Sequence, residues 1–127
     1  MPRFIAGAAL ALALVYLLSL AVTSPAAGDQ VAFGHRFVGS VGWIASAGHA
    51  VFFLWLAYTA IRRRSVAVWG TVGYCVYLIE NIWLYSVGEG RGFFASTSAL
   101  LTVNALVTVV LLTFCRLVLQ RRPLFDR

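Results

Sequence analysis

The chain has 127 residues, of which 61% are hydrophobic and 11% charged, and its mean hydropathy is +0.89. Soluble domains carry roughly 25% charged and about 45–50% apolar residues, so the composition excludes a water-soluble fold. The net charge of +6 comes from ten Arg and no Lys against four acidic residues, and because those arginines stand at the ends of apolar runs, where membrane topology places them, the charge does not argue for a nucleic-acid partner.

Crossing a hydrocarbon core of roughly 30 Å takes about 20 apolar residues. The chain therefore holds four membrane spans and short connections, with no room for a separate soluble catalytic module. Any site must lie between the helices or at the two membrane surfaces.

The first apolar run covers residues 4–23 and is followed by Ser24, Pro25, Ala26, Ala27, Gly28 and Asp29. Arg3 before it and the small residues Ser24 and Ala26 after it imitate a cleaved secretory leader, but the run exceeds the roughly 7–15 apolar residues of such a leader and reads as a retained first span. The segment from Gln30 to Phe37 mixes apolar Val31, Ala32, Phe33 and Phe37 with His35 and Arg36, which predicts a short interfacial helix leading into the second span.

The second span covers residues 38–61 and is closed by Arg62, Arg63 and Arg64, a block that cannot enter hydrocarbon without a large cost. The third covers residues 66–87, and Gly88, Glu89, Gly90, Arg91 and Gly92 then form a flexible loop. The fourth covers residues 94–119, with Arg116 reaching toward the surface ahead of Arg121 and Arg122.

Orientation follows from the arginines. Arg3, Arg62, Arg63, Arg64, Arg116, Arg121, Arg122 and Arg127 fall on one side and only Arg36 and Arg91 on the other, so both termini are expected in the cytoplasm. Trp43, Trp83 and Tyr85 near the outer ends, with Trp55, Tyr58 and Trp69 near the inner ends, match two interfacial aromatic belts. The expected architecture is all-α, one transmembrane domain over residues 1–127 forming a four-span antiparallel helix bundle. All-arginine usage is a habit of GC-rich genomes, and the location expected is a plasma membrane or bacterial inner membrane.

The polar residues inside the spans are the candidate site. His49 lies near the middle of span two and Glu80 about three residues beyond the middle of span three, so in antiparallel spans their depths differ by about 4 Å. Tyr16, Tyr77 and Asn104 project to a similar depth, which would give one polar layer fed by every span. In span two Gly39, Gly42, Ser46 and His49 share a stripe, and in span three Gly70, Gly73, Tyr77 and Glu80 share another; small residues let membrane helices approach closely, so both stripes read as packed faces. Thr97, Asn104, Thr108 and Cys115 form a weaker polar stripe on span four.

Three roles fit such a layer. It can be interhelical glue, with Glu80 hydrogen-bonded to His49, Tyr77 or Asn104. It can be a proton-exchanging Glu80–His49 pair in a small transporter or channel. Or it can serve an intramembrane enzyme acting on a lipid or isoprenoid, with Glu80 and His49 as acid and base and Tyr77 or Trp83 lining the pocket.

No metal site and no cofactor is implied. The two histidines, His35 and His49, stand about 21 Å apart on a continuous helix, and no CxxC or HExxH pattern is present. Cys75 and Cys115 are placed at different depths, against a disulfide. Asp29, His35, Arg36, Glu89 and Arg91 make a charged outer rim, expected to be solvated rather than a docking surface.

The reading adopted is a non-enzymatic component of a membrane assembly or a homo-oligomer in the lipid bilayer. Four short helices bury few side chains, and the alanine-rich face of span one, Ala6, Ala9 and Ala13, is available to a partner.

Overall fold

A computed structural model of the chain describes residues 1–125. It contains four long helices, α1 (Pro2–Val22), α2 (Gly39–Ile61), α3 (Val66–Val87) and α4 (Thr97–Gln120), and two short strands, β1 (Asp29–Ala32) and β2 (His35–Val38), between α1 and α2. Three of these helices, α1, α2 and α4, are long and apolar enough to cross a membrane. α3 has similar length but carries Glu80, Asn81, Tyr74, Tyr77 and Tyr85.

The helix ends have local causes. Pro25 disfavours helical backbone at the residue before it, and α1 stops at Val22. α4 begins at Thr97, three residues later than its apolar run, because the Ser96 hydroxyl accepts the Ala99 N–H at 3.1 Å and caps the first turn. The glycine-rich stretch expected as a loop winds instead into a short 3-10 turn, Glu89–Phe93.

α2 ends where Arg63 enters the left-handed region at φ 52. The Arg63 N–H donates to the Ala60 carbonyl at 3.1 Å and the Arg64 N–H to that of Thr59 at 2.9 Å. Glycine usually occupies such a position, and another residue there costs on the order of 1 kcal/mol.

The segment expected as an interfacial helix is a β-hairpin. Asp29 pairs with Val38, Gln30 with Phe37, Val31 with Arg36 and Ala32 with His35, in antiparallel register. Its two-residue turn is Phe33-Gly34, both with positive φ (50 and 77), the geometry that matches the twist of paired strands. The strands carry Val31, Phe37 and Val38, types that favour extended backbone. What the local pattern does not reveal is the receptor for the turn: Asn81 of α3 accepts the Gly34 N–H at 2.8 Å and donates toward the Val31 carbonyl at 3.4 Å.

Packing follows from small residues. Ile5, Ala6, Ala9 and Ala13 of α1 are buried in one cluster with Phe53, Leu56, Ala57 and Ala60 of α2. The alanine face considered for an outside partner is thus covered by the chain itself. Trp43, near the start of α2, donates its indole N–H to the Thr23 carbonyl just past α1 at 3.2 Å. At the opposite end Phe125, 1% exposed, folds back into the same cluster beside Ala67, Val68 and Val118.

The Gly42 stripe of α2 is also packed, but against the polypeptide leading into and through the hairpin. A Cβ at Gly42 would collide with the Phe37 carbonyl and with the backbone of Gly28.

Two glycines separate the uses of this residue. A Cβ at Gly34 would strike the Leu84 side chain in a left-handed conformation, whereas one at Gly48 would meet nothing within 4 Å. Gly34→Ala is therefore expected to destabilise the protein by about 1–2 kcal/mol from the backbone conformation, plus the collision. Gly48→Ala should be neutral or stabilising by up to about 1 kcal/mol. Thermal unfolding of both variants in mild detergent checks the contrast, and equal melting temperatures would rule out this hairpin geometry.

Candidate functional site

The single polar layer expected from depth alone is divided in two, because α4 packs along α3 while α1 and the hairpin pack along α2.

The first group surrounds His49. Its Nδ1 lies 2.8 Å from the Ala45 carbonyl; a carbonyl only accepts, so Nδ1 carries a proton in this contact. Tyr16 of α1 stacks on the imidazole with ring centroids 5.2 Å apart, and Tyr77 and Tyr74 of α3 approach at 6.0 and 6.1 Å. His49, Tyr16 and Tyr77 are thus brought together.

Ser46 joins them through the hairpin. Its hydroxyl reaches Gln30 Oε1 at 3.4 Å, besides donating to the Gly42 carbonyl one turn back, and Gln30 Nε2 lies 3.4 Å from the Tyr16 hydroxyl. Gln30 therefore bridges α1 and α2 from the strand. Nothing in its local sequence separates it from an ordinary loop glutamine.

Beside this group an open groove of about 310 Å³ runs between α2, α3 and the hairpin, lined by Phe33, Gly48, His49, Phe52, Tyr74 and Tyr77. Phe33 meets Tyr77 edge to face at 5.4 Å. The Tyr77 hydroxyl is buried with no hydrogen-bond partner among the described residues.

The second group lies between α3 and α4. Asn104, 0% exposed, donates its amide N–H to the Ser86 hydroxyl, which itself donates to the Ile82 carbonyl. Trp83 donates its indole N–H to Thr108 Oγ1 at 2.9 Å, and that hydroxyl donates to the Asn104 carbonyl at 2.7 Å. Asn104 Oδ1 has no partner among the described residues. The stripe on α4 thus faces α3 at Asn104, Thr108 and Cys115, while Thr97 is exposed. Ser86 and Trp83 complete this network, a role that the sequence alone does not distinguish from packing and belt residues.

Glu80 belongs to neither group. It is exposed, as is Gly73, while Gly70 packs under Trp55 and Tyr77 faces His49. The stripe expected to be one packed face is two rows. A three-residue step turns an α-helix about 300°, so the Gly70/Tyr77 row and the Gly73/Glu80 row stand about 60° apart, and the edge of the packed surface falls between them. No hydrogen bond or ion pair joins Glu80 to His49 among the described residues.

Cys75 and Cys115 are both buried free thiols. No group of three His, Cys, Asp or Glu that could hold a metal ion occurs among the described residues.

On the rim at the hairpin end Arg36 grips Asp29 with two hydrogen bonds, Nε to Oδ1 at 2.8 Å and Nη2 to Oδ2 at 2.6 Å, across the base of the hairpin. Glu89 accepts the Arg36 backbone N–H at 3.1 Å and lies 3.5 Å from His35 Nδ1. The hydrogen bond from Arg36 holds the Asp29 carboxyl below the usual value of 3.8, and the same contact raises the Arg36 guanidinium.

These features define a helical protein with three membrane-length apolar helices, a hairpin seated on one end and an aromatic cage around a histidine. No protein-family model, curated protein or solved structure matches the chain.

The Asp29 shift has a testable sign. A carboxyl whose value is lowered on folding stabilises the hairpin above pH 3.8 and loses that contribution as pH falls through the lowered value. Amide hydrogen exchange of residues 29–38 is expected to quicken over that acid range, and Asp29→Asn should remove the dependence. An unchanged profile in the variant would show that the pair does not order the hairpin.

Proposed function

We propose that this protein spans the membrane four times, as an antiparallel bundle with both termini in the cytoplasm, and acts as a non-enzymatic subunit that associates through the outer face of α3. The observation that carries the proposal is the position of Glu80. It is exposed on a helix flanked in sequence by two membrane-length helices, about 5 Å from the helix midpoint. An ionisable side chain at that depth is costly against lipid and is normally covered by another helix or a polar partner.

The rest of that face supports the reading. Trp69, Gly73, Val76, Glu80, Leu84 and Val87 are exposed at steps of three and four residues. A Cβ at Gly73 would meet nothing within 4 Å, so no part of this chain uses the close approach it permits.

Four spans, rather than the three helices of clear membrane character, are supported by α3 itself. Its 22 residues reach about 33 Å, enough for the hydrocarbon core. Its most polar inward residue, Asn81, is occupied by the hairpin. The Arg asymmetry further requires an even number of crossings to put both ends on the same side.

The transporter and enzyme alternatives draw on a Glu80–His49 pair, and the outward position of Glu80 favours neither.

In mild detergent the wild type is expected to run as an oligomer or with co-purifying membrane subunits. Glu80→Leu and Gly73→Ile should each shift it to the monomer while leaving its unfolding free energy within about 1 kcal/mol of the wild type, since both sites lie outside the packed core. A monomeric wild type with nothing co-eluting rejects the subunit reading. Orientation is read separately from reporter fusions: a C-terminal reporter active only outside the cytoplasm would reject the four-span topology.

A further inference from the structure

The arginines at the end of the molecule where α1 starts and α2 stops are not equivalent. Arg62 sits over the Tyr58 ring and Arg122 over the Trp69 ring, each with its guanidinium 5.7 Å from the ring centroid. Arg3 and Arg63 have neither an aromatic seat nor a carboxylate partner among the described residues. Both line a cavity of about 410 Å³, together with Met1, Pro2, Ala60, Ile61 and Leu124, where the start of α1, the end of α2 and the C-terminal turn meet.

Two further features mark this cavity as an anion site. The first turn of α1 forms part of its wall, and the positive dipole end of a helix attracts negative charge. Arg63 keeps a left-handed backbone, φ 52, where glycine would be free of strain, in a chain that uses eleven glycines elsewhere. Strain of that kind persists where the side chain is used.

Exposed apolar residues stand next to these cations. Phe4 follows Arg3 and Ile61 forms part of the wall, at 61% and 62% exposure. A soluble anion has no use for such neighbours, whereas a lipid needs a cationic seat for its headgroup and an apolar surface for its chains.

We propose that this cavity binds the phosphate-bearing headgroup of an anionic phospholipid, with Arg3 and Arg63 as its cationic ligands. The proposal rests on the four-span reading, which sets the cavity at the cytoplasmic surface of the bilayer, at the level of lipid phosphates. The acyl chains then lie along the apolar outer surfaces of α1 and α2. A dedicated site differs from the diffuse attraction of all cytoplasmic arginines in depending on two of them.

The full chain, purified from membranes in mild detergent, is tested by native mass spectrometry and thermal unfolding with added phosphatidylglycerol, phosphatidylcholine or inorganic phosphate. The wild type is expected to retain phosphatidylglycerol over phosphatidylcholine by on the order of tenfold and to melt higher with it, both effects shrinking as salt is raised. Arg3→Gln should weaken the preference.

Arg63→Gly is the decisive variant, because it removes the ligand and relieves the backbone. Its melting temperature without lipid should equal or exceed that of the wild type, while the phosphatidylglycerol effect is lost. Equal retention of the two lipids by the wild type, or a preference that survives in the Arg3→Gln/Arg63→Gly double variant, overturns the proposal. Stabilisation by inorganic phosphate equal to that by phosphatidylglycerol overturns the lipid assignment in favour of a soluble anion. Failure of the membrane reading would show itself differently, as release of the protein from membranes by alkaline carbonate before any lipid is added.

Discussion

One hydrogen bond organises the hairpin end of this molecule: the Gly34 N–H given to the Asn81 side chain at 2.8 Å. A peptide N–H in a tight turn against a helix has no water to turn to, and a buried donor without a partner costs about 1–3 kcal/mol. Asn81 supplies the acceptor and holds the hairpin between α2 and α3. The hairpin in turn carries Gln30 to Tyr16 and Ser46, so a four-residue strand adds polar links to three helices. The aromatic groove beside His49 has one wall made by the same turn, through Phe33. Its shape therefore depends on a residue of α3 one position along from the acidic residue that first attracts notice.

That adjacency explains how α3 serves two sides. Neighbouring residues on an α-helix point about 100° apart, so Asn81 can turn inward to the hairpin while Glu80 turns outward. Of the four long helices, α3 alone falls short of the apolarity of a membrane span, and its acidic residue and its hairpin-binding amide are neighbours in sequence. One is satisfied inside the chain, and the other is offered to the surroundings. A polar pair that merely cemented the bundle would have both members inside.

The four long helices are legible in the sequence because length and hydropathy act over twenty residues at a time and tolerate local error. Arg62 to Arg64 and Pro25 mark their ends by simple cost, and the helices begin and end within about three residues of those marks. The hairpin is not legible, since it depends on a partner 47 residues away in sequence and on positive φ at Phe33, a residue with no special taste for that conformation. Depth along a helix can be read from residue count, which is why His49, Tyr16 and Tyr77 were expected to meet and do meet. Azimuth is harder. A stripe at steps of three and four spreads over a wide arc, and Gly70, Gly73, Tyr77 and Glu80 all fit it although the packed surface ends in the middle. Nor does residue count say which helices adjoin, so Asn104 matches His49 in depth yet joins Ser86 on the far side of α3.

The two ends of the molecule are built on opposite uses of charge. On the hairpin end each acidic residue has a basic or histidine neighbour, Asp29 with Arg36 and Glu89 with His35, so most of the charge there is paired within the chain and Arg91 alone lacks a carboxylate partner among the described residues. At the other end the arginines outnumber any described acidic neighbour, and two of them quench part of their exposure on aromatic faces. An unequal distribution of this kind is what a bilayer with one anionic surface selects. Two arginines left facing a cavity go beyond that general bias, because orientation alone would be served as well by side chains extended into water. A left-handed residue that could have been glycine and exposed apolar neighbours stand around the same cavity of about 410 Å³, and that convergence is what the lipid-headgroup proposal draws on.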